Sequence, residues 1–470
     1  MRERMNVEDY ARFDGVGVAT LISEGDVSRG EVIDAALDAI AAVNPRINAV
    51  VETYDPTPLW SRPSLGPFAG VPSLRKDIHD EAGRLIEYAS RLGEGLVANE
   101  SDEVIQRMND AGVVFLGRSA TSEFALYGTT ESVLHGSTRN PWNLDKSAGG
   151  SSGGAAAAVA AGIVPFADAS DAGGSIRIPG ACCGLVGLKS SRTTTKSATS
   201  RADLNENVHA ILARTVRDVR TMASWLGDLE ENEHALDPSQ PSFRVAVSVV
   251  PWAPRTDIDP QIVRAVEEVA RHIEELGGVV EHARPTFDVE GFWDALTTRL
   301  CVDLHEQVRA LARATRRAPI EDFLEPMTLQ YFNAGATMTS ADLARAFLER
   351  DRVVRDVNEF FTRFDLLITP TLQVLAPDVG TAGGRDVTAS PLEHVLKGEM
   401  LAPNLAVFNM SGHPAITVPT AMSESGLPIG VQLVARHGSD PLLVSLASEL
   451  ERRLPWAGRI PATHVSRMHS

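Results

Sequence analysis

Apolar and polar positions along the chain first set out two N-terminal helices. Ser28-Arg-Gly-Glu31 has the form of a capping box, with Ser28 as N-cap and Glu31 reaching back from the third helical position. Behind it Val32, Ile33, Ala36, Leu37, Ile40 and Val43 recur at helical spacing and share one face. Asn44-Pro45 is expected to stop that helix. Residues 55–67 hold four prolines and little periodicity, and read as a loop feeding a strand at 71–74. From about residue 100 the pattern alternates. A helix at 101–111, C-capped by Gly112, precedes a short apolar strand at 113–116, and a helix of small residues at 155–161 precedes a strand at 163–166. Later come a strand at 244–250, a long amphipathic helix at 260–276, strands at 366–368, 415–418 and 430–434, and a last helix at 441–453. Such alternation predicts an α/β fold whose sheet is covered by helices on both faces. Residues 290–362 are almost purely helical in pattern, which predicts a cap or insertion over the sheet.

Composition narrows the function classes. The chain has 470 residues, 43% of them hydrophobic, enough for a sizeable core, and no repeat or low-complexity linker divides it. Its 44 basic against 62 acidic residues leave a formal charge of −18, which argues against nucleic-acid binding and against a polybasic membrane anchor. Cys182, Cys183 and Cys301 make no disulfide framework and fit a reducing cytoplasm. His305-Glu306 lacks the second histidine of a zinc motif, so no metal is expected. No secretory signal is visible after Met1. The uncharged runs 147–167 and 400–423 are broken by glycine, serine and proline, so no membrane span is expected.

Two glycine–serine turns flank one helix–strand unit: Ser147-Ala-Gly-Gly-Ser-Ser-Gly-Gly and Ser170-Asp-Ala-Gly-Gly-Ser-Ile-Arg-Ile-Pro-Gly. Glycine at this density lets several N–H groups converge on one point, which suits an anion or a developing oxyanion. A phosphate loop would need Gly-Lys-Ser/Thr, yet Gly153-Gly154 run straight into alanines. The spacing fits no dinucleotide fingerprint either. Gly150-Ser-Ser152-Gly-Gly154 spells a nucleophile elbow with Ser152 as nucleophile, but the elbow needs a strand before it and the polar 143–147 does not read as one. Ser73-Leu-Arg-Lys76 spells the Ser-x-x-Lys of penicillin-recognising enzymes without their other motifs. Alone, the glycine–serine run would be a flexible loop, Lys76 a surface charge and the cysteines buried small hydrophobes.

Taken together the segments resemble the amidase signature hydrolases. Gly149-Gly-Ser-Ser-Gly-Gly is followed 20 positions after Ser151 by Asp171-x-Gly-Gly-Ser175-Ile-Arg-Ile-Pro and then by Cys183-Gly-Leu-Val-Gly-Leu-Lys189. Upstream, Gly70-Val-Pro-x-x-x-Lys76-Asp matches the family's lysine motif. The resemblance spans about residues 14–455 and is weaker over 200–410. It implies the amidase-signature fold, a mixed central β-sheet covered by α-helices with a helical insertion, in a single domain. N-terminal helices would occupy 1–55, the signature core 65–190, and a helical cap governing specificity about 290–410. It also implies a triad of Ser175 as nucleophile, Ser151 as bridging serine in a cis peptide, and Lys76 as base. The backbone N–H groups of Ala172, Gly173, Gly174 and Ser175 would form an oxyanion hole. Ser152 would support the network, and Asp171 with Arg177 would brace the loop. Tyr127 and His135 would lie near the acyl pocket, each more structural than catalytic. Physically, a serine hydroxyl needs a base to become a nucleophile, and lysine can serve near pH 7 only if its pKa falls through burial or neighbouring donors.

Ser170 and Ala172 replace threonines usual in the family, and Lys189-Ser-Ser-Arg stands where Lys-Pro-Thr/Ser-Arg-Gly-Arg is usual. His135-Gly-Ser-Thr-Arg-Asn-Pro-Trp142 and the paired cysteines resemble a subgroup with the cyclic-dimer hydrolases of nylon oligomers. The atypical 193–206 borders the active site in relatives, so substrate choice is expected to differ. The expected activity is hydrolysis of a small-molecule amide, lactam or ester through an acyl-serine, with no cofactor. Family members are often dimers, which makes a homodimer the expectation. Alternatives are acyl transfer to an amine, a glutaminase-like subunit of a tRNA-dependent amidotransferase, and a non-catalytic binding protein on the same fold.

Overall fold

The computed structural model describes residues 5–55, 65–192, 206–227, 229, 243–252, 257–381, 389–399 and 401–468. Most of the loop expected at 55–67 and of the atypical 193–206 lies outside them. The helix Arg29–Ile47 opens on the expected capping box, with Glu31 N–H donating to Ser28 Oγ at 3.2 Å and Ser28 N–H to Glu31 Oε2 at 2.8 Å. It does not stop at Pro45 but runs on to Ile47. Proline near the end of a helix removes only one ladder bond, and the Asn44 side chain accepts from Ala49 N and Val50 N at 2.8 Å each, so the chain leaves the helix satisfied.

Two sheets carry the architecture. The smaller has the strand order Val50–Thr53, Val114–Ser119, Pro72–Lys76, the first pair antiparallel and the second parallel. The larger has eight strands in the order Val279–His282, Arg244–Val247, Leu366–Pro370, Pro428–Ala435, Ala415–Met422, Val186–Lys189, Val208–Ala213, Phe166–Asp171. Its first three strands run parallel and every later pair is antiparallel, which makes the sheet mixed. The two sheets meet edge to edge. Ser73 Oγ donates to the Phe166 carbonyl at 3.0 Å and Lys76 N–H to Asp168 Oδ2 at 3.0 Å, side-chain bonds in place of a ladder. Ser73 is therefore buried in a structural role, which disposes of the Ser-x-x-Lys reading.

Several elements differ from the expectation. The strand expected at 163–166 is Phe166–Asp171, because Gly162 turns the chain at φ +80 and the strand begins only after Pro165. Residues Asn143–Ser147, read as non-strand, pair with Arg139–Asn140 in a small hairpin whose outer positions face solvent, so polar residues suit it. The strands Val208–Ala213 and Val279–His282 and the helix Val216–Leu226 are additions to the elements expected.

Helices Val289–Thr315, Pro326–Thr337 and Ser340–Arg363 supply the helical stretch expected at 290–362. They close over a second apolar cluster, with Phe292 stacked edge-on against Trp293 at 4.4 Å and Phe360, Phe361 and Phe408 beneath. Each such buried side chain is worth roughly 1.5–3 kcal/mol relative to exposure. His305, the zinc candidate, hydrogen-bonds the Phe332 carbonyl at 2.8 Å and stacks on that ring, and Glu306 is paired with Arg309 at the surface. All three cysteines are free and buried. No helix among the described residues is long and apolar enough to cross a membrane.

Candidate active site

Lys76 ends the strand Pro72–Lys76 and is fully buried. Its Nζ donates to Ser151 Oγ at 2.8 Å and to Ser170 Oγ at 3.0 Å. Burial pushes the Lys76 pKa down to about 7, against the opposing pull of the Asp168 and Asp171 carboxylates. The Gly150–Ser151 peptide is cis, and the Ser151 carbonyl accepts from Thr121 Oγ1 at 2.9 Å and Thr130 Oγ1 at 3.1 Å. Gly150 lies against the Thr129 backbone so closely that a Cβ there would stand 2.5 Å from its carbonyl carbon. That contact, together with the all-buried helix Gly153–Ala160 behind it, explains the run of glycine and alanine. Ser152 caps no N–H of that helix; its Oγ donates to the Ser170 carbonyl at 3.3 Å and its N–H to the Ser175 carbonyl at 3.3 Å.

The loop 172–176 joins the strand Phe166–Asp171 to the helix Arg177–Cys183. Ala172, Gly173 and Ser175 line a cleft of about 370 Å³ together with Ser151 and Ser170. Gly174, named in the expected oxyanion set, makes a bond of its own within the loop. Its N–H donates to Asp171 Oδ1 at 2.7 Å and it is buried with φ +131, a conformation that glycine alone adopts readily. Asp171 and Arg177 form a buried bidentate pair, Nε donating to Oδ2 and Nη2 to Oδ1 at 2.9 Å each. Burial raises the Asp171 pKa, but the Arg177 charge and hydrogen bonds, with Asn409 and Lys189, outweigh it and hold the carboxyl well below its ordinary range.

Tyr127 lines the cleft with its hydroxyl 2.7 Å from Thr328 Oγ1, whereas His135 is not among the lining residues and sits 3.6–3.8 Å from Glu87 and Asp77. Asp77, Glu87 and His135 have the ligand spacing of a metal site. Arg118 already occupies that cluster, donating to Asp77 at 2.6 Å and Glu87 at 2.9 Å, so its charge is compensated from within. Sequence reasoning missed Asp168, His79, His209, Asn409 and Gln432. Asp168 and Ser170 share one strand face at spacing i, i+2, a signal that was available; the others arrive from distant segments.

The sequence matches the family described as Amidase over residues 31–444. It is 33% identical to a 6-aminohexanoate-cyclic-dimer hydrolase of Paenarthrobacter ureafaciens over 474 aligned positions, covering 95% of this chain and 96% of that one. It is 35% identical to a putative amidase, AmiC, of Mycobacterium tuberculosis (strain ATCC 25618 / H37Rv), covering 96% and 97%. The solved structure of a 6-aminohexanoate cyclic dimer hydrolase superposes with a TM-score of 0.86 at 31% identity, covering 96% of this chain and 99% of that one. Fold and relatives together make this an enzyme, a hydrolase that acts on amides. The chain belongs to the amidase signature family.

Proposed function

We propose that the chain hydrolyses a small carboxylic amide through an acyl-Ser175 intermediate, with Lys76 as base and Ser151 as proton relay. The observation that carries this is the 2.8 Å bond from a buried Lys76 Nζ to Ser151 Oγ on the cleft that Ser175 also lines. A pKa near 7 leaves a useful fraction of the lysine neutral at physiological pH. Ser175 Oγ attacks the amide carbon while its proton passes through Ser151 to Nζ. The tetrahedral oxyanion takes N–H groups of the loop at Ala172, Gly173 and Ser175, where each donor is worth about 10²–10³ in rate. The C–N bond then breaks as Lys76 returns the proton, through Ser151, to the leaving nitrogen. Water attacks the acyl-serine by the same route in reverse and releases the acid. Leu296, Leu300 and Leu304 of the helix Val289–Thr315, with His394 and Val395, form one wall of the cleft, which supports assigning substrate choice to the helical region. The three free, buried cysteines support action in the reducing cytoplasm.

Labelling with a fluorophosphonate followed by peptide mass spectrometry tests the nucleophile. The adduct is expected on Ser175, with labelling reduced by about 10²-fold or more in Lys76→Ala. An adduct on Ser152 instead would overturn the assignment.

A further inference from the structure

Four residues beside the cleft carry backbone strain. Among the described residues six non-glycine residues have positive φ, and two of them, Asn48 and Arg316, close helices, where a left-handed residue is usual. The other four are the consecutive pairs Tyr88 (φ 55) with Ala89 (φ 49) and Phe124 (φ 52) with Ala125 (φ 55). A Cβ in this region crowds its own backbone, so two such residues in a row persist only where surrounding bonds fix them. Those bonds are present. Asp77, the residue after Lys76, accepts from Glu87 N at 3.1 Å and Ala89 N at 3.0 Å, and Arg118 holds it in turn at 2.6 Å. Glu123 accepts from Ser90 Oγ at 2.6 Å and from Glu325 N at 2.9 Å. The two corners are joined directly, with Phe124 N–H donating to the Tyr88 carbonyl at 2.9 Å.

What these corners set is the placing of two rings. Tyr88 and Phe124 lie nearly parallel, at 17° with centroids 6.0 Å apart, and both line the cleft with Ser151 and Ser175. The Tyr88 hydroxyl hydrogen-bonds the Asp80 carboxyl, which ties down the far end of that ring. Tyr88 is only half-buried, so part of its ring remains open to the cleft. An apolar wall that worked by area alone would need no particular backbone. Contacts between aromatic groups depend on how the rings are oriented, and strain spent on orientation is accounted for where a third ring is to be received.

We propose that the Tyr88–Phe124 pair is a subsite for an aromatic group of the substrate, which packs on the open part of the Tyr88 ring and extends the pair. The cleft thereby selects amides that bear an aryl ring on the acyl or the amine side. This rests on the amide-hydrolase reading and names its substrate class.

The test uses pairs of amides matched in length and reactivity that differ only in whether the ring is flat. Phenylpropionamide against cyclohexylpropionamide places the ring on the acyl side, and N-phenylethyl acetamide against N-cyclohexylethyl acetamide places it on the amine side. Two methylenes insulate the amide from the ring in each. Cyclohexyl has the larger apolar surface, so burial alone would favour it. In the intact enzyme kcat/KM is expected to favour the phenyl member of at least one pair by about 3- to 10-fold, the size of an aromatic contact, and that pair names the side. Tyr88→Leu should remove the preference while leaving the cyclohexyl member within about 2-fold, and Tyr88→Phe, which keeps the ring, should retain it. A merely structural role would lower both members alike. Should Tyr88→Leu fail to fold, the comparison in the intact enzyme still decides. Calorimetry of the same amides with Ser175→Ala reads binding without turnover. Phenyl-selective binding with no turnover by the intact enzyme would leave the subsite standing and remove the hydrolase reading. Equal kcat/KM or a cyclohexyl preference in both pairs, binding of neither phenyl amide, or a parallel loss on both members in Tyr88→Leu would overturn the subsite.

Discussion

Replacing Lys76 with methionine is expected to lower kcat/KM toward any amide by about 10³-fold or more and, at the same time, to stabilise the fold. The activity loss follows from its proposed role, since a serine without its base is a poor nucleophile. Intact enzyme should gain activity as pH rises through about 7, where Nζ loses its proton, and the residual activity of the variant should lack that step. Initial rates from pH 5 to 9 read this, and a flat profile in the intact enzyme would sink the base assignment. The stability gain is a matter of sign and size. The unfolded chain keeps the lysine proton up to its ordinary value of 10.5, whereas the native state releases it at about 7. Between those values the unfolded state binds more protons, so this group makes native stability rise with pH, and below 7 its full cost remains. That cost is on the order of 5 kcal/mol for a group so buried, against roughly 1–3 kcal/mol for each of Ser151 and Ser170 left without its donor, about 4 kcal/mol together at mid-range, so a small net gain remains. Thermal melts should therefore show the variant ahead of the intact protein at pH 6, with the margin narrowing toward pH 10.

The parts of the site that could be read in the sequence are those where backbone chemistry dictates residue type within one contiguous stretch. Gly150, pressed on the Thr129 backbone, and Gly174, in a left-handed conformation, admit nothing larger, so the two turns announce themselves. The committed N–H of Gly174 did not, because the carboxylate that takes it gives no sign in sequence of which amide it will choose. Partners brought together by topology were also hidden. His79 and His209 are 130 residues apart, and Asn409 reaches Asp171 from 238 residues away. Element ends failed for local reasons: Asn143–Ser147 is a solvent-edged hairpin strand without apolar alternation, and Pro45 sits where a helix can spare an N–H. The leucine wall of the cleft could be seen as a helix but not as a wall, because helical periodicity marks a buried face without saying what the face encloses.

Arg177→Met is expected to cost stability as well as activity, the opposite pairing to Lys76→Met. Arg177 holds both Asp171 oxygens, and its remaining N–H groups reach Leu405 O at 3.1 Å, Gln432 Oε1 at 2.7 Å and Asn409 Oδ1 at 2.6 Å. Methionine would leave a buried carboxylate without its cation, and breaking such a pair from one side costs about 3–5 kcal/mol. Asp171 in turn anchors the loop, through Gly174 N–H at 2.7 Å and Ile176 N–H at 3.2 Å, that presents Ser175 and the remaining amides to the cleft. A displacement of that loop by about 1 Å is enough to cost about 10²-fold in kcat. The acid limb of stability supplies an independent readout. With Arg177 in place the folded Asp171 pKa lies below its ordinary 3.8, so its contribution is complete above 3.8 and is lost only as pH falls through the lower, folded value. Without Arg177 the largest opposing influence, burial, acts with less resistance and raises that value, so acid unfolding should begin at higher pH. Urea melts from pH 3 to 7 measure both effects. A variant as stable as the intact protein across that range would mean that the four amides around Asp171, the backbone N–H groups of residues 174, 176 and 177 and Asn409 Nδ2, suffice to hold it, and that the guanidinium serves the Asn409–Gln432 side of the site instead.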